Sequence, residues 1–306
     1  MSSGSEFGIF TAERIDHAFE IASGSVTGAQ HVLDGRPNQD AHCVLVTPTH
    51  TIIVLADGCS EGEHSEVGAH LGVRYAARGI EWGIGAFLSA PVPPTSPSSA
   101  DLLSDEDDGM CHVWASARDH VRGGIQDALG LMGKFHERAR KPTVNTLFLF
   151  TLVAAVIDRR PGGKASFAAI GDGFLAVNGE VVPFGKFPDN KPPYVAYTVV
   201  TSSIAPELLR WKVLRRMHTA KLQTFLVGTD GMDDFAERVG SSMPGGPRAV
   251  GPLSQFWEED RFFRNPDMVR RKLVLCNGGV GLRTDRAGLL RDDATLVVGR
   301  RAPCSP

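Results

Sequence analysis

Three aspartates of this 306-residue chain share one local pattern. Asp57, Asp172 and Asp230 each follow an apolar run, and each is followed at once by glycine. The run before Asp57, residues 52–56, has the length and β-branched content of a strand buried on both faces. A carboxylate fixed at the end of such a strand, beside a glycine that permits close backbone approach, is suited to binding a metal ion or a phosphate. The alternative is a tight turn, for which Asp-Gly is a common sequence.

Other aspartates lie before apolar runs instead of after them. Asp40 precedes residues 41–46, and Asp292 and Asp293 precede residues 296–298. If strands that run into an acid alternate with strands that leave one, these carboxylates meet at one end of an antiparallel sheet. Clustered carboxylates raise one another's pKa unless a cation neutralises them. Oxygen ligands without a set of His and Cys favour Mg²⁺ or Mn²⁺ over Zn²⁺, and two such ions can activate a water for attack on phosphorus.

One hairpin shows how the sheet would position these acids. Residues 41–46 and 52–56 are predicted to be antiparallel strands joined by a turn at residues 47–50. Asp40 would lie at the beginning of one strand and Asp57 at the end of its neighbour. Both carboxylates are therefore expected at the same edge of the sheet.

The remaining elements are predicted from hydrophobic periodicity and from Gly and Pro positions. Three helices are expected, with Ser65 as a suitable N-cap for the first, over residues 66–81, 110–141 and 267–275. Further strands are predicted over residues 19–25, 31–33, 145–158, 165–170, 174–178, 180–183, 194–201, 222–227 and 296–298. Residues 208–217 fit no single pattern.

The composition is that of an ordinary globular protein, with 42% hydrophobic and 22% charged residues and a net charge of −3. This charge gives no global field that attracts nucleic acid or acidic lipids. The five scattered cysteines favour a reducing compartment, and no apolar run is long enough to span a membrane, so we expect a cytoplasmic protein. We expect one domain over residues 8–306, with a Pro/Ser/Asp-rich insertion at about 91–109 and a variable segment at about 241–291.

Taken in order, the motifs resemble those of the protein phosphatase 2C (PPM) family of metal-dependent protein serine/threonine phosphatases, in a divergent, largely bacterial form. They extend from about residue 24 to residue 300. The matching pieces are Asn38-Gln39-Asp40-Ala41, Ala56-Asp57-Gly58, Ser65-Glu66-Val67-Gly68-Ala69, Thr151-Leu152, Gly171-Asp172-Gly173, Thr229-Asp230-Gly231 and Asp292-Asp293-Ala294-Thr295. The resemblance implies an α+β fold, a four-layer α-β-β-α sandwich of two antiparallel sheets flanked by helices.

The resemblance also implies roles for individual residues. Asp57 would bridge two Mn²⁺ or Mg²⁺ ions, and the Gly58 carbonyl would bind one of them. Asp230 and Asp292 would complete the first metal site, and Asp40 would hold a metal-bound water.

A third, weaker ion is implied as well, with Asp172 in the position of the acid linked to it. The implied reaction is hydrolysis of phosphoserine or phosphothreonine by direct attack of metal-bridged water, without a covalent enzyme intermediate. The expected partner is a phosphorylated protein, such as a Ser/Thr kinase or its target, and the expected state is a monomer.

Three positions depart from the family pattern. Gln39 stands where relatives commonly have a glutamate ligand of the second ion, and its uncharged amide oxygen should bind that ion more weakly. Arg36 is the candidate phosphate-binding arginine, although its spacing is one residue short, and a surface arginine is the alternative. Cys59 occupies the position of a histidine that is a candidate general acid in relatives. His64 or His31 could take that role, the alternative being ordinary loop histidines.

Two functions of different classes follow. The first is a phosphatase acting on phosphorylated Ser or Thr in proteins. The second is a non-catalytic member of the same fold that binds a kinase or phosphoprotein and regulates it, an alternative that Gln39 and Cys59 keep open. A more distant alternative is a metal-dependent hydrolase of another phosphate ester.

Overall fold

The computed structural model describes residues 19–89, 109–184, 187, 191–245, 247–278 and 288–303. The strands of this described part are β1 (Phe19–Val26), β2 (Ala41–Val46), β3 (His50–Gly58), β4 (Phe150–Asp158), β5 (Lys164–Ile170), β6 (Phe174–Val177), β7 (Glu180–Val181), β8 (Lys212–His218), β9 (Thr224–Gly228) and β10 (Ala294–Arg301). The helices are α1 (Ala29–Leu33), α2 (Ser65–Ser89), α3 (Met110–Leu131), α4 (Glu137–Leu147), α5 (Gly231–Glu237), α6 (Gln255–Glu258), α7 (Arg261–Arg264) and α8 (Met268–Cys276). Short 3₁₀ helices lie at Val195–Thr198, Pro206–Leu209 and Thr219–Lys221.

Two antiparallel five-stranded sheets form the centre of the molecule. The first sheet has the strand order β2-β3-β4-β5-β8, and the second has the order β1-β10-β9-β6-β7. In the first sheet Ala41 of β2 pairs with Ala56 of β3. This register places Asp40, directly before β2, beside Asp57 at the end of β3, which confirms the predicted hairpin.

The side chains of β3 explain why its sequence is apolar throughout. Ile52, Val54 and Ala56 belong to a core shared with α2 and α3, and they are at most 1% exposed. Ile53 and Leu55 point the other way, into the core between the two sheets. Both faces of the strand are buried, so no polar residue alternates with the apolar ones.

The second sheet is covered in the same manner. Leu226 and Leu296 pack with the residues of α5–α8, including the buried rings of Phe256 and Phe262. Val227, on the opposite face, contacts the core between the sheets. The layers are therefore helices, sheet, sheet and helices, and the predicted α+β sandwich is confirmed. Within the described residues, none of the helices combines the length and the apolar character needed to cross a bilayer.

Both long predicted helices differ from the structure at their ends. α2 continues for eight residues beyond the predicted end, so that Gly79 lies inside it. Ser65 is the first residue of α2, and its hydroxyl donates to the Cys59 carbonyl at 3.0 Å. The predicted helix over residues 110–141 is two helices, α3 and the beginning of α4. Gly133 follows α3 with φ +69°, a conformation that ends a helix readily only at glycine.

Three shorter predictions need correction, and one segment that fitted no pattern contains a strand. Residues 31–33 belong to α1 and not to a strand, and residues 194–201 contain a 3₁₀ helix instead of the predicted strand. The strand predicted over residues 145–158 begins only at residue 150, because α4 occupies the preceding segment. Residues 208–217, which had no assignment, contain most of β8. Short apolar runs fit a strand or a helical turn equally well, and tertiary packing decides between them.

The sequence also predicts an insertion and a variable segment. The insertion expected at about residues 91–109 lies outside the described residues except for Gly109. The variable segment expected at about residues 241–291 contains α6, α7 and α8. The single domain over residues 8–306 stays a prediction.

The close approach of α2 and α3 gives a stability prediction. A Cβ at Gly79 would lie 2.7 Å from the Ala117 Cα and 2.9 Å from the Ser116 carbonyl oxygen, and these backbone atoms can move only with α3. Gly79→Ala should therefore lower the free energy of unfolding by about 1–3 kcal/mol. Urea titration followed by circular dichroism measures this change.

Gly85 of the same helix is the matched control, because a Cβ there would meet nothing within 4 Å. Gly85→Ala should raise stability by about 0.5–1 kcal/mol, the usual helix-propensity gain. Equal effects of the two substitutions would show that α2 does not pack on α3 as described.

Candidate metal centre

The strand ends bring the predicted acids together at one end of the sandwich. Asp57 is the second-last residue of β3, and Asp172 and Asp230 each lie two residues beyond the end of a strand. Burial raises the pKa of Asp57 well above its usual range, and the charges of Asp230, Asp40, Asp292 and Asp172 raise it further. Five acids from five separate chain segments therefore share one electrostatic site.

The raised pKa of Asp230 shows the effect of this crowding of carboxylates. Burial, followed by the charges of Asp172 and Asp292, raises its pKa to about 7, although a hydrogen bond with Asp57 acts in the opposite direction. Asp230 directly precedes α5, and Gly231 begins that helix. A Cβ at Gly231 would lie 2.0 Å from the Asp293 carbonyl oxygen, so a larger residue would displace Asp230 from its neighbours.

Asp40 is held by a polar network that joins the two sheets. The Thr229 hydroxyl donates to Asp40 Oδ2 at 2.8 Å, and the Asp40 amide donates to Asn38 Oδ1 at 2.9 Å. The Thr295 amide donates to the Thr229 hydroxyl oxygen at 3.1 Å, and the Ser25 and Thr295 hydroxyl oxygens lie 2.6 Å apart. Burial and the charge of the nearby Asp293 raise the pKa of Asp40.

The oxygen atoms that the site offers as ligands show whether a divalent ion fits it. Four buried oxygens have no hydrogen-bond partner among the described residues, namely Gln39 Oε1, Asp40 Oδ1, Asp172 Oδ1 and Asp230 Oδ1. A buried oxygen without a partner is costly, and a cation supplies the missing interaction. Carboxylate and amide oxygens are the ligands that Mg²⁺ and Mn²⁺ prefer. The residues present therefore fit such an ion.

Gln39 and Gly58 lie side by side. The Gly58 amide donates to the Gln39 carbonyl at 3.2 Å, and a Cβ at Gly58 would approach that same oxygen to 2.8 Å. The Gln39 side chain is 1% exposed, and its Nε2 donates to the Gly62 carbonyl at 3.1 Å. That bond fixes the orientation of the amide and leaves its oxygen as the unpartnered atom.

Asp293 has a structural role that the sequence analysis did not assign. Its Oδ1 accepts the Gly28 amide at 2.7 Å, and its Oδ2 accepts the Gln39 amide at 2.5 Å. His31 Nδ1 lies 3.0 Å from the same Oδ2. Asp293 is 2% exposed, so this carboxylate ties the segment before β2 to the segment before β10.

His31, which the sequence analysis named only as an alternative general acid, lies in α1 and contacts two acids, although the short apolar run around it was predicted to be a strand. It is 5% exposed in α1, and its Nε2 lies 3.7 Å from Asp292 Oδ1. The Asp292 and Asp293 carboxylates and the His31 ring offer one ligand atom each within 4.8 Å of one another. No local sequence signal distinguished this histidine from a loop histidine.

The other candidates lie at the rim of the site. Arg36 is exposed, and its guanidinium donates to the Ser60 carbonyl in the loop that follows Asp57 and Gly58. The His64 side chain is 56% exposed and contacts Glu66 Oε1 at 3.4 Å. Neither side chain has a described ion pair or hydrogen bond with an acid of the cluster.

Cys59, directly after Gly58, is half-buried and lies next to Tyr194. Burial raises the pKa of Tyr194, and a hydrogen bond with Cys59 raises it further. Smaller contributions that also raise it come from the charges of Asp57 and Asp172. A thiol and a phenol therefore occupy the region where relatives are expected to have a histidine.

A comparison with known protein families identifies the family of the chain. The family model described as protein phosphatase 2C matches residues 27–262, which is most of the chain. The chain therefore belongs to the protein phosphatase 2C family. A search of curated proteins found no match.

Three solved structures are similar to this chain over most of its length. The serine-threonine phosphatase 2C from Toxoplasma gondii is 14% identical, with 93% of this chain and 95% of that chain covered and a TM-score of 0.49. The photosystem II phosphatase PBCP is 14% identical, with coverage of 92% and 98% and a TM-score of 0.48. RsbX in complex with magnesium is 10% identical, with coverage of 94% and 98% and a TM-score of 0.41.

The shifted pKa of Asp230 predicts how the metal-free protein responds to pH. The carboxyl has a pKa of about 7 in the folded chain against about 4 in the unfolded chain, so the folded state holds more protons between these values. Its contribution to stability therefore falls as pH rises through 7. In EDTA at pH 8, Asp230→Asn should be more stable than the wild type by a few kcal/mol, and this difference should shrink at pH 6.

Differential scanning calorimetry at the two pH values measures the difference. Asp34→Asn is the matched control, because Asp34 also precedes a glycine but is exposed and outside the cluster. It should change the melting temperature little at either pH. If metal-free Asp230→Asn is no more stable than the wild type at pH 8, the acids do not repel one another as described.

Proposed function

We propose that this protein is a metal-dependent protein serine/threonine phosphatase that hydrolyses phosphoserine and phosphothreonine. The observation that carries the proposal is the acid cluster at one end of the sandwich, in which the charges of Asp230 and Asp292 raise the pKa of Asp57 and the charge of Asp292 raises the pKa of Asp230. A cation stabilises such a cluster of acids with unpartnered oxygens, and a divalent cation there is suited to phosphate chemistry.

The ligand roles follow from the positions of the oxygens. Asp57, Asp230 and Asp292 would hold the first ion, because the charge of Asp292 acts on both of the other carboxyls. Asp57, the Gly58 carbonyl and Gln39 Oε1 would hold the second. This assignment is supported by the contact of Gln39 with Gly58 and by the unpartnered state of its amide oxygen.

Asp172 would serve a third, weaker ion. Burial raises its pKa, and the charge of Asp233 raises it further. Its Oδ1 is buried and unpartnered, yet it contributes to the electrostatic environment of Asp57 and Asp230. This position suits an ion that binds when the first two are present.

Bound Mg²⁺ or Mn²⁺ would lower the pKa of a coordinated water and neutralise charge on the phosphate. Asp40 would orient the attacking water through Oδ1, the oxygen that has no partner within the protein. Its other oxygen is fixed by the Thr229 hydroxyl, so the side chain cannot rotate freely. Because burial raises its pKa, Asp40 accepts a proton more readily than an ordinary aspartate does.

Arg36 is proposed to contact the phosphate group of the substrate. Its guanidinium is held beside the loop that follows Asp57 and Gly58, and a bidentate guanidinium is the side chain best matched to phosphate oxygens. The proposed substrate is a phosphorylated protein, such as a Ser/Thr kinase or its target, and the proposed state is a monomer.

The second candidate function is a non-catalytic regulator that binds a kinase or phosphoprotein. The observation in its favour is the ligand set proposed for the second ion, in which the amide of Gln39 supplies no charge. Cys59 and Tyr194 occupy the neighbouring position of the candidate general acid. Turnover of an aryl phosphate by the folded protein at millimolar Mn²⁺ separates the two functions.

The site assignment predicts the effect of removing the bridging carboxylate. Asp57→Asn should lower kcat/KM for a phosphothreonine peptide by about 10²- to 10⁴-fold, since several kcal/mol of charge stabilisation are lost with the ion. A malachite green assay of released phosphate, run at about 2 mM Mn²⁺, measures the loss. Asp34→Asn should keep wild-type activity.

Two results would contradict this prediction in different ways. Near-normal turnover by Asp57→Asn would remove the assignment of Asp57 as a ligand. A folded wild type without Mn²⁺-dependent turnover of any phosphopeptide or aryl phosphate would leave the regulator as the function.

Gln39 gives a prediction in the opposite direction. Gln39→Glu should bind the second ion more tightly than the wild type does, because a carboxylate adds charge to the ligand set. Without metal the same variant should be less stable, since it loses the hydrogen bond to the Gly62 carbonyl and adds a charge to the cluster. Calorimetric titration with Mn²⁺ and thermal unfolding in EDTA measure the two effects.

Gln30→Glu is the matched control, because it adds the same charge at an exposed position of α1. It should leave Mn²⁺ affinity nearly unchanged. An unchanged Mn²⁺ affinity of Gln39→Glu would place Gln39 outside the metal site.

A further inference from the structure

The corner between α3 and α4 exposes three large apolar side chains. Leu131 is 92% exposed, Phe135 is 68% exposed and Met132 is 44% exposed. A single exposed apolar residue is ordinary, but three of them within five residues at one corner form a patch. Such patches mark surfaces that bind a partner. Neither the fold nor the proposed mechanism gives these side chains a role.

Hydrogen bonds to the backbone hold this corner in one shape. The Met132 amide donates to the Ala128 carbonyl at 3.1 Å, where α3 ends. The Arg140 guanidinium donates to the Phe135 carbonyl at 3.1 Å, which ties the corner to α4. A partner would therefore meet a surface that is already formed, and binding would cost little conformational entropy.

Cations lie beside the apolar side chains. Lys134 directly precedes Phe135, and Arg138 and Lys141 are exposed on α4, three residues apart and therefore on one side of that helix. None of these three cations has an ion pair or a side-chain hydrogen bond within the described part of the chain. The apolar and basic side chains together, Leu131, Met132, Lys134, Phe135, Arg138 and Lys141, form the corner patch.

The charge of this stretch is opposite to that of the whole chain. Residues 131–141 contain four basic residues and one acid, hence a charge of +3, in a chain of net charge −3. The one acid, Glu137, accepts the Thr201 amide at 2.8 Å. An acidic partner with apolar side chains is therefore complementary to the corner patch.

Helix α4 connects the corner patch to the proposed metal centre. At its far end the Thr146 carbonyl accepts the His64 amide at 3.0 Å, and His64 lies in the loop that follows Asp57 and Gly58. α4 has 11 residues, so its two ends are about 16 Å apart. An extended peptide covers that distance with about five residues.

The loop at the metal end of α4 carries the opposite charge. Glu61 and Glu63 are exposed there. An acid directly beside the phosphorylated residue of a substrate would be repelled by these carboxylates, whereas an acid about five residues away would meet Arg138 and Lys141. The two charged regions therefore favour distant acids over adjacent ones.

We propose that the corner patch binds an acidic and apolar segment of the phosphorylated protein, about five or six residues from the phosphorylated residue. The proposal rests on the proposed function, because the phosphate group would lie at the metal centre. A peptide fits this surface better than an acidic membrane does, since the cations continue along α4 toward the site. A lipid surface would contact the protruding corner alone.

Phosphothreonine peptides of three designs test the proposal. The first carries a leucine- and glutamate-rich segment about five residues from the phosphothreonine, on either side of it. The second carries this segment directly beside the phosphothreonine, and the third has serines in its place. With Mn²⁺, kcat/KM should be about 10-fold higher for the first design, the effect of a few exposed charge pairs and an apolar contact. The gain should appear in KM, because such binding is equal in ground state and transition state.

Two double variants should remove this preference. One is Arg138→Glu with Lys141→Glu, and the other is Leu131→Ser with Phe135→Ser. All four side chains are exposed, so both variants should fold as the wild type does. Their turnover of an aryl phosphate, which is too small to reach the corner patch, should equal that of the wild type.

Matched controls keep the preference. Lys221→Glu with Arg248→Glu makes the same change in net charge at exposed positions outside the corner patch. Leu275→Ser removes an apolar side chain that is 51% exposed on α8. A loss of preference in these controls equal to that in the corner variants would overturn the proposal.

Binding without turnover separates this proposal from the proposed function. In EDTA, fluorescence anisotropy should show that the wild type binds the unphosphorylated leucine–glutamate peptide, and Arg138→Glu with Lys141→Glu should weaken this binding about 10-fold. Equal kcat/KM for the three designs would overturn the docking role. Binding of phosphatidylserine vesicles but not of the peptide would overturn it in favour of membrane contact.

A further result would overturn the proposed function alone. If the corner patch binds the peptide while no phosphopeptide or aryl phosphate is turned over, the docking surface stands and belongs to a regulator.

Discussion

Mutual repulsion between buried carboxylates is the constraint on which this structure depends. Asp57 lies among acids from four other chain segments, and burial strengthens every one of these unfavourable interactions. The fold resists the repulsion because each acid is attached to a strand end in one of two packed sheets. The same charges that weaken the metal-free protein would attract a divalent ion. Stability and metal affinity are therefore two results of one interaction.

The sequence was most informative where burial leaves no choice of pattern. The strand before Asp57 is apolar on both faces, because one face packs on helices and the other on the second sheet. Such a run identifies a central strand, and antiparallel pairing with the strand after Asp40 then follows from a short turn. The sequence alone therefore places Asp40 and Asp57 at one edge of the sheet. Asp172 and Asp230 follow shorter runs of the same kind.

Elsewhere the pattern was ambiguous because contacts far away in the chain decide the structure. The segment around His31 became a helix, and the Gly28 amide before it is held by Asp293, which lies 265 residues further on. The segment after Tyr194 alternates like a strand but coils as a 3₁₀ helix against the core under α2 and α3. No local rule contains this information. Asp293 and His31, whose mutual contact the sequence did not predict, depend on the same long-range contact.

The position of β10 has a consequence for how the protein is made. β10 lies between β1 and β9, so the first and last strands of the described chain are neighbours in the second sheet. During synthesis, β1 has no neighbouring strand to pair with until residues 294–301, which form β10, have emerged from the ribosome. Pairings this distant in sequence are slow to form, since a long loop must close first. A nascent chain thus carries Asp57 in a nearly complete first sheet before Asp292 has been made, and the acid cluster is complete only after the segment that leads into β10 has emerged.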